Sequence, residues 1–208
     1  MAERESANRA SYAFNDALDR AVLGPAAHLY LRLPRGMRAS VHNFFDNAAY
    51  PGTVLNQVLQ GKLEPAMRGS ARFVFNTTLG IGGLFDVATG FGLAREEEDF
   101  GQTLAVWGME EVNYVHWPVL GPSSVRDTPG LVVGALTDVL TYAAVPAWAL
   151  VLELVDTRAS LDAAVRMRDE TALDPYVFTR EAYRQRRTFL IHDGNPPLHG
   201  TGGGGEGR

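Results

Sequence analysis

The stretch "FVFNTTLGIGGLFDVATGFGL", residues 73–93, narrows the folds that this chain can adopt. It combines five glycines with phenylalanines and leucines, and Asp86 is its one charged residue. Such a segment is too interrupted to cross a bilayer and too apolar to lie in water. Glycine lets a backbone bend sharply and lets helices approach closely. The first question is therefore which environment suits a turning, apolar backbone of this kind.

Composition excludes several functional classes. The chain has 208 residues, which is enough for one domain with a substantial core. Its net charge of -5 argues against a nucleic-acid partner, because a phosphate-binding surface is basic. Cysteine is absent, which excludes disulfides, thiolate metal sites, a cysteine nucleophile and a lipid-modified cysteine within the chain. The first residues lack the apolar core of a signal peptide, so we expect either a cytosolic protein or a targeting segment missing from this chain.

Helical patterns dominate the first 80 residues. Tyr12, Phe14, Leu18 and Val22 approximate one apolar helix face, which Gly24-Pro25 is expected to interrupt. Pro51 suits the first turn of a later helix that Gly61 ends, and Gly80 is placed to cap another. Beyond the first helix, the sequence predicts helices over residues 26–33, 35–45, 51–60 and 65–79.

Strand patterns are scarce. The best is "NYVHWPVL", residues 113–120, which is expected to form one arm of a short hairpin. Pro118 confines this segment to a sheet edge or to irregular structure. The fold class is therefore all-α, with at most a hairpin-like segment near residues 113–121. The glycine- and proline-rich residues 191–208 predict a disordered tail after a single domain over residues 1–190.

Residues 131–154, "LVVGALTDVLTYAAVPAWALVLEL", are long enough to span a hydrocarbon core of about 30 Å. Asp138, Pro146 and Glu153 argue against this, since a membrane-buried aspartate costs about 2.5–3.5 kcal/mol. We therefore expect two helices bent at Pro146. A charged amphipathic helix over residues 156–168 and a last helix opened by Asp174-Pro175 follow.

No catalytic constellation emerges from the sequence. The five histidines lack metal-ligand spacing, so no metal site is expected. His116 and Asp127, with either Ser123 or Ser124, could form a hydrolase trio, but no GxSxG elbow occurs, and either serine is better read as a helix N-cap. The glycines at residues 80–83 lack the strand and spacing of a dinucleotide fingerprint. The acidic run "EEED", residues 96–99, is expected to be a solvated helix start.

Six segments, in this order, resemble the VacJ/MlaA family of outer-membrane lipoproteins across about residues 12–187. They are "YAFNDALDRAVLGPAA", "VHNFFDNAAYPGTVLNQVLQGK", "RFVFNTTLGIGGLFDVA", "DFGQTLAVWG", "PVLGPSSVRDTPG" and "DPYVFTREAYRQRR". Several long motifs in the family's order are far more specific than any single short pattern.

The resemblance implies a ring-like helical domain that lies in the outer membrane toward its periplasmic face without crossing the bilayer. It implies an amphipathic channel that removes mislocalised phospholipids from the outer leaflet and maintains lipid asymmetry, and it implies no enzymatic activity. The expected ligand is a glycerophospholipid, with no cofactor. The expected partners are a trimeric outer-membrane porin, a periplasmic lipid carrier like MlaC and membrane phospholipids. The glycine-rich stretch then suits a ring element with lipid on one side and protein on the other.

The resemblance also assigns residues. Those that it implies beside the lipid path are Asn43, Phe44, Phe45, Leu84, Phe85, Tyr114, Pro118 and Leu120. Those that it implies in the turns and close packing of the ring are Gly80, Gly82, Gly83, Asp86 and Gly121. Plain core packing remains the alternative for the aromatic residues, and turn geometry for the glycines. Arg126-Asp127 is expected to be a structural ion pair or a helix cap.

The chain departs from the family pattern at its start. Only Asn8-Arg9 remain of the family's opening motif, and the lipobox cysteine is absent, so we expect the true start to lie upstream. Two other functions stay open for this chain. One is a soluble helical interaction module, which needs no lipid, and the other is a lipid hydrolase, which needs the serines and His116 to act together.

Overall fold

A computed structural model of the chain describes residues 2–111 and 113–197. The predicted tail mostly lies outside the described residues. The architecture is all-α with one two-stranded antiparallel sheet, as the sequence predicted.

The first three helical elements are continuous. Helix α1 (Ala2–Leu18) passes through a π-helical turn (Asp19–Leu23) directly into α2 (Gly24–Tyr30). The expected interruption at Gly24-Pro25 is therefore wrong. The Gly24 N–H bonds the Asp19 carbonyl, so the register changes by one residue directly before Pro25, which has no N–H to donate.

Two predicted helices are a single long one. Helix α3 (Arg35–Leu59) contains Pro51 in its interior and is followed by α4 (Leu63–Thr78), which packs along it. An interior proline costs about 3 kcal/mol in an isolated helix. Here the packing of α4 against both halves of α3 offsets that cost, and Gly69 lets the helices approach, since a Cβ there would lie 2.9 Å from Gln57 Oε1.

The middle of the chain is short and irregular. Helices α5 (Val87–Gly90) and α6 (Phe100–Val106) precede strands β1 (Tyr114–Trp117) and β2 (Gly121–Ser124). Tyr114 pairs with Ser124 and Trp117 with Gly121, which places Pro118 in the turn. The predicted hairpin is thus confirmed, although its first arm is shorter than residues 113–120.

The predicted bend at Pro146 is present, but the break is longer than one residue. Helix α7 (Thr128–Thr137) ends at Asp138, a 3₁₀ turn (Val139–Thr141) follows, and Pro146 precedes α8 (Ala147–Ser160). The single helix expected over residues 156–168 is wrong, because α8 ends at Ser160 and α9 (Asp162–Thr171) begins after Leu161. Helix α10 (Pro175–Ile191) starts as predicted.

Contacts between the elements close a circuit. Helix α1 contacts the hairpin, the hairpin contacts α10, and α10 contacts α6. Helix α6 contacts α3, α3 contacts α8, and α8 contacts α2, which returns to α1 through the π-helical turn. This closed order of neighbours is what a ring of helices requires.

The apolar core is divided and small. One cluster joins Ala27, Tyr30 and Ala159, and a second joins Phe45, Ala48 and Leu140. The buried polar side chains outside these clusters include Asn47, Asn56, Gln57, Arg72, Asn76, Gln102 and Thr103. Polar contacts therefore hold many of the junctions between the helices.

Candidate functional site: an open cavity within the helical circuit

The outer surface is unusually apolar. Exposed large side chains include Leu29, Leu63, Met67, Leu79, Ile81, Val119, Leu120, Tyr142 and Trp148, each at least 60% exposed. Scattered apolar residues are normal on a protein surface, but a surface this apolar around a polar interior indicates an apolar surrounding. Among the described residues, no helix combines the length and hydropathy needed to cross a bilayer.

A cavity of about 710 Å³ opens between elements of the circuit. It lies between α3, α7, the Val139–Thr141 turn and α8. Its small or apolar lining residues are Ala49, Gly52, Phe100, Gly130, Gly134, Ala135, Leu140, Ala143, Val145 and Leu150. Asp138, Glu153, Glu98 and Asp99 line the same cavity with carboxylates. The cavity thus offers an apolar surface together with a polar edge.

The local sequence explains why this space stays open. A Cβ placed on Gly134 would meet no heavy atom within 4 Å, so a larger side chain there would enter free space. The Asp138 carboxylate accepts a 2.7 Å bond from the Leu140 N–H, which ends α7 and turns the chain away from its axis. Burial, and the charges of Asp138 and Asp156, raise the pKa of Glu153. The low-polarity wall therefore shifts this carboxyl toward its neutral form.

The cavity continues into two smaller spaces along residues 95–99, which form an extended strap. A space of about 220 Å³ shares Ala49, Thr53 and Glu98 with the large cavity. A third space of about 510 Å³ shares Arg95 and Leu190 with the second. The strap therefore borders all three spaces, and they adjoin in series.

The acidic run at residues 96–99 is not the solvated helix start that the sequence suggested. The Glu98 side chain is 4% exposed, and its Oε1 lies 2.7 Å from Lys62 Nζ. Glu96 accepts a 2.7 Å hydrogen bond from the Gln57 side chain. Asp99 alone begins a helix, because its side chain accepts from the Gln102 N–H at 2.9 Å. The other carboxylates hold the strap against the helices that it crosses.

The residues predicted at positions 43–45 and 84–85 lie together. The Asn43 side-chain amide donates to the Leu84 carbonyl at 3.4 Å, which joins α3 to the glycine-rich turn. Phe45 is buried and its ring meets the half-buried Phe44 ring edge-on at 5.3 Å. Phe85 is 51% exposed. None of these five lines the cavity of about 710 Å³, so their place in a lipid path stays a prediction.

The glycine-rich turn closes against α3 and α4. A Cβ on Gly80 would lie 2.2 Å from the Phe85 carbonyl oxygen, and Gly83 has φ +92° with Asn47 Cβ 2.7 Å from where its own Cβ would be. Gly82 has φ +68° in open space. Asp86 accepts from Arg72 at 2.6 Å and from Asn76 at 3.1 Å.

The chemistry of Asp86 fixes this turn on α4. Burial alone would raise the pKa of Asp86, but hydrogen bonds from Thr89, Arg72 and Asn76 outweigh it and lower the pKa to about 2. The carboxylate is therefore charged at neutral pH, and it caps α5 while it pairs with a buried guanidinium.

The hairpin carries the remaining predicted residues. Tyr114 is buried, whereas Pro118 and Leu120 are exposed at the tip, and Gly121 has the positive φ of +83° that ends the turn. No hydrogen bond among the described residues joins this hairpin to the glycine-rich turn. The structure thus places the predicted path residues in two separate groups.

Two asparagines of α1 hold the hairpin, and the sequence reading missed them. Asn8 donates to the Tyr114 carbonyl at 3.1 Å and accepts from the His116 N–H at 3.0 Å. Asn15 accepts from the Val119 N–H at 2.7 Å and donates to the Trp117 carbonyl at 2.9 Å. Their seven-residue spacing, two helical turns, places both on one face, which is a signal that the sequence did contain.

The hydrolase reading is not supported by the geometry. His116 Nε2 accepts from the Asn15 amide at 3.1 Å, and Nδ1 lies 2.9 Å from the Tyr114 hydroxyl. Both ring nitrogens are therefore engaged away from Ser123 and Ser124. Burial lowers the pKa of His116 to about 4, which keeps it neutral.

Neither serine is a helix N-cap, because both lie in β2 and α7 begins at Thr128. The Ser124 hydroxyl accepts instead from the Asp127 N–H at 3.1 Å, in the turn between β2 and α7.

Arg126-Asp127 is a structural ion pair, as the sequence suggested, within a larger buried cluster. Asp127 also lies 3.0 Å from Arg187 of α10, and the Tyr183 hydroxyl donates to it. Burial raises the pKa of Asp127, but Arg126, Tyr183 and Arg187 outweigh it and lower the pKa to about 2. The cluster ties the hairpin and α7 to α10.

Comparisons with known proteins agree on one family. The sequence profile described as the MlaA lipoprotein matches residues 3–190. An intermembrane phospholipid transport system lipoprotein MlaA from Shigella flexneri is 36% identical over 203 residues, covering 91% of this chain and 78% of the relative. The protein of that description from Escherichia coli is 34% identical over the same length, with the same coverage of each chain. An uncharacterized protein from Rickettsia prowazekii is 34% identical over 192 residues, covering 90% of this chain and 76% of the relative.

A solved structure from work on the structural basis for maintenance of bacterial outer membrane lipid asymmetry is also similar. It superposes with a TM-score of 0.77 at 35% sequence identity, covering 90% of this chain and 97% of the other.

Proposed function

This chain belongs to the MlaA lipoprotein family, and on that premise we propose that its cavity is a path for phospholipids. Lipids that have reached the outer leaflet of the outer membrane enter the helical circuit and leave toward the periplasm. The protein thereby maintains the lipid asymmetry of that membrane. It acts as a channel, with a glycerophospholipid as its transported ligand, and no bond in the lipid is made or broken.

The observation that carries this proposal is the cavity of about 710 Å³ with its apolar wall and its carboxylate edge. An acyl chain that is kept from water gains about 0.8 kcal/mol per methylene, so a long chain needs a continuous apolar surface. A headgroup has the opposite requirement and needs polar groups along the way. Gly134 and Ala135 leave space for an acyl chain, and the carboxyl groups of Asp138 and Glu153 are polar groups of the same cavity.

The exposed apolar side chains support a position in the membrane. With these side chains against lipid, the protein lies in the leaflet at the periplasmic face of the outer membrane. A trimeric porin is the proposed neighbour for part of this surface. A soluble periplasmic carrier like MlaC receives the lipid.

The two groups of predicted residues have supporting roles in this proposal. Asn43, Phe44 and Phe45 brace α3 against Leu84 and the glycine-rich turn, so that the wall of the path keeps its shape. Pro118 and Leu120 present an apolar hairpin tip, which guides a chain at the mouth of the circuit.

Photo-crosslinking tests the path directly. Because the chain contains no cysteine, Ala135→Cys creates a unique thiol in the cavity wall, to which a benzophenone maleimide is attached. Irradiation in native membranes should give phospholipid adducts that are visible by mass spectrometry. The matched control is Glu170→Cys on the exposed face of α9. Equal adduct yields at both positions, or none at Ala135→Cys in a chain that still transports, would contradict the proposal.

A second measurement tests the partners. The chain is extracted in mild detergent and purified without cross-linking. A porin trimer and phospholipid should co-purify with it in reproducible ratio. Recovery of the chain in the aqueous fraction without detergent would favour the soluble interaction module instead.

A further inference from the structure

Three arginines form a separate basic surface, here called the arginine patch and made of Arg32, Arg35 and Arg38. They lie where the chain passes from α2 into α3, and Arg35 and Arg38 line a cavity of about 370 Å³ with Tyr30, Ala39 and Ser160. This cavity shares no lining residue with the proposed lipid path. It is therefore a second feature of the molecule, which the proposed function does not use.

The patch is unusual because its charges are unpaired. None of its three guanidinium groups forms an ion pair within the described part of the chain. Its one side-chain hydrogen bond runs from Arg38 Nε to the Leu33 carbonyl at 3.2 Å. Elsewhere, buried and half-buried arginines meet carboxylates, as Arg158 does with Asp19 at 3.0 Å.

The carboxylate that borders the same cavity is already satisfied. Asp156 accepts from the Tyr30 hydroxyl at 2.7 Å and from His42 Nδ1 at 2.9 Å. The side chain of Asp156 is 9% exposed, whereas that of His42 is 46% exposed. The guanidinium groups of Arg35 and Arg38 at this cavity are therefore free to donate hydrogen bonds outward, because the Asp156 carboxylate is buried and already bound by Tyr30 and His42.

Exposed apolar side chains alternate with the arginines. Leu29 is 65% exposed, Leu33 is 39% exposed and Met37 is 56% exposed. Arginines that stand among exposed leucine and methionine side chains match a membrane interface, where the stem lies along apolar surface and the guanidinium reaches the phosphates. An acidic protein partner would instead favour a polar rim around the charges.

We propose that the arginine patch binds the phosphate groups of anionic phospholipids in the surrounding leaflet and so fixes the orientation of the protein in the membrane. The guanidinium fork matches the geometry of a phosphate and can donate two parallel hydrogen bonds to it. The site is distinct from the transport path, so lipid transport and membrane orientation are separable properties.

Vesicle flotation measures the predicted preference. The purified full chain partitions between buffer and vesicles of pure phosphatidylcholine, or of phosphatidylcholine with 20% phosphatidylglycerol, where the 20% is a choice of the assay. Each arginine near an anionic surface contributes roughly fivefold in partitioning, so the three together give about 100-fold. The variant R32Q/R35Q/R38Q should lose this preference and keep its affinity for pure phosphatidylcholine.

The matched control removes the same charge from paired arginines. R20Q/R166Q/R184Q changes three exposed residues that already meet carboxylates. This control should retain the preference for phosphatidylglycerol, and an equal loss in both variants would overturn the proposal in favour of net charge. The double variant R32Q/R35Q should show a preference for vesicles with phosphatidylglycerol that is about 25-fold lower. It removes no hydrogen bond of the fold, so it keeps the test valid if the triple variant unfolds.

Two further probes distinguish the sources of negative charge. Calorimetry with inorganic phosphate should give no saturable binding at concentrations where the vesicles discriminate, and saturable binding there would make the patch a site for a free anion. An octaglutamate peptide should not bind differently to the unsubstituted chain and the triple variant. If it does, while vesicle partitioning is unchanged, the patch is a surface for an acidic protein and the lipid assignment fails.

Discussion

Substituting Gly134 by leucine should separate transport from stability. Gly134 lies inside α7 and lines the cavity, and a Cβ placed on it meets no heavy atom within 4 Å. The substitution adds four carbon atoms to the wall of the proposed lipid path. A glycine inside a helix is about 0.7 kcal/mol less favourable than leucine, so the variant should unfold at a temperature about 2 °C higher. Transport should fall although the fold gains stability.

The assay is complementation of a strain that lacks the protein. Outer-leaflet phospholipid content and outer-membrane permeability are measured for Gly134→Leu beside thermal unfolding of the purified chain. Gly36→Leu is the control, because Gly36 is also helical, also has open space around its Cβ and does not line the cavity. If Gly134→Leu is as stable as expected and still restores lipid asymmetry fully, the cavity is not the path, and the reasoning that led to it fails.

Four further substitutions test the elements that shape the circuit. Gly80→Ala should lower the free energy of unfolding by about 3 kcal/mol, because its Cβ would lie 2.2 Å from the Phe85 carbonyl oxygen. Gly82→Ala should lower it by only about 1 kcal/mol, from positive-φ strain. Equal denaturation midpoints for the two variants would contradict this geometry. Asp127 has a pKa lowered from 3.8 to about 2, so its contribution to stability is present above pH 4 and is lost as pH falls toward 2. Urea titrations should show that the difference in unfolding free energy between the unsubstituted chain and Asp127→Asn is smaller at pH 3 than at pH 6. Asn15→Ala should free the hairpin tip and speed amide exchange at Val119 at least tenfold, with exchange in α10 unchanged.

The sequence predicted the helical class, the hairpin and the last helix because these depend on local patterns. Asp174 accepts from the Tyr176 and Val177 N–H groups, as an N-cap before a proline should. The prediction that a helix begins at Pro51 failed, because the packing of α4 on α3 outweighs one lost hydrogen bond. The residues of α3 alone do not indicate that packing.

The candidate site was the least predictable part. The residues assigned by resemblance lie in α3, the glycine-rich turn and the hairpin, whereas the cavity wall comes from residues 49–56 of α3, residues 98–100 and residues 130–153. Asp138 and Glu153 were visible in the sequence as charges that disfavour a membrane span. They line one cavity because α7 and α8 both pack against α3, which no local pattern specifies. Small residues such as Gly134 also give no periodic signal, since what they contribute is empty space.

A ring with lipid on its outer surface and a lipid path on its inner surface cannot be held together by the hydrophobic effect alone. Both of its apolar surfaces meet acyl chains. The junctions of this circuit are polar, as in the pair between Asp19 of the π-helical turn and Arg158 of α8. Asp19→Asn leaves the mostly buried Arg158 with only the more distant carboxylate of Asp162, at 3.6 Å, and should cost about 3 kcal/mol. Truncating Leu63, which is 64% exposed, should cost less than about 0.5 kcal/mol in detergent. Unfolding midpoints in one detergent compare the two variants, and a larger loss in Leu63→Ala than in Asp19→Asn would show that apolar packing, not the polar junctions, closes the ring.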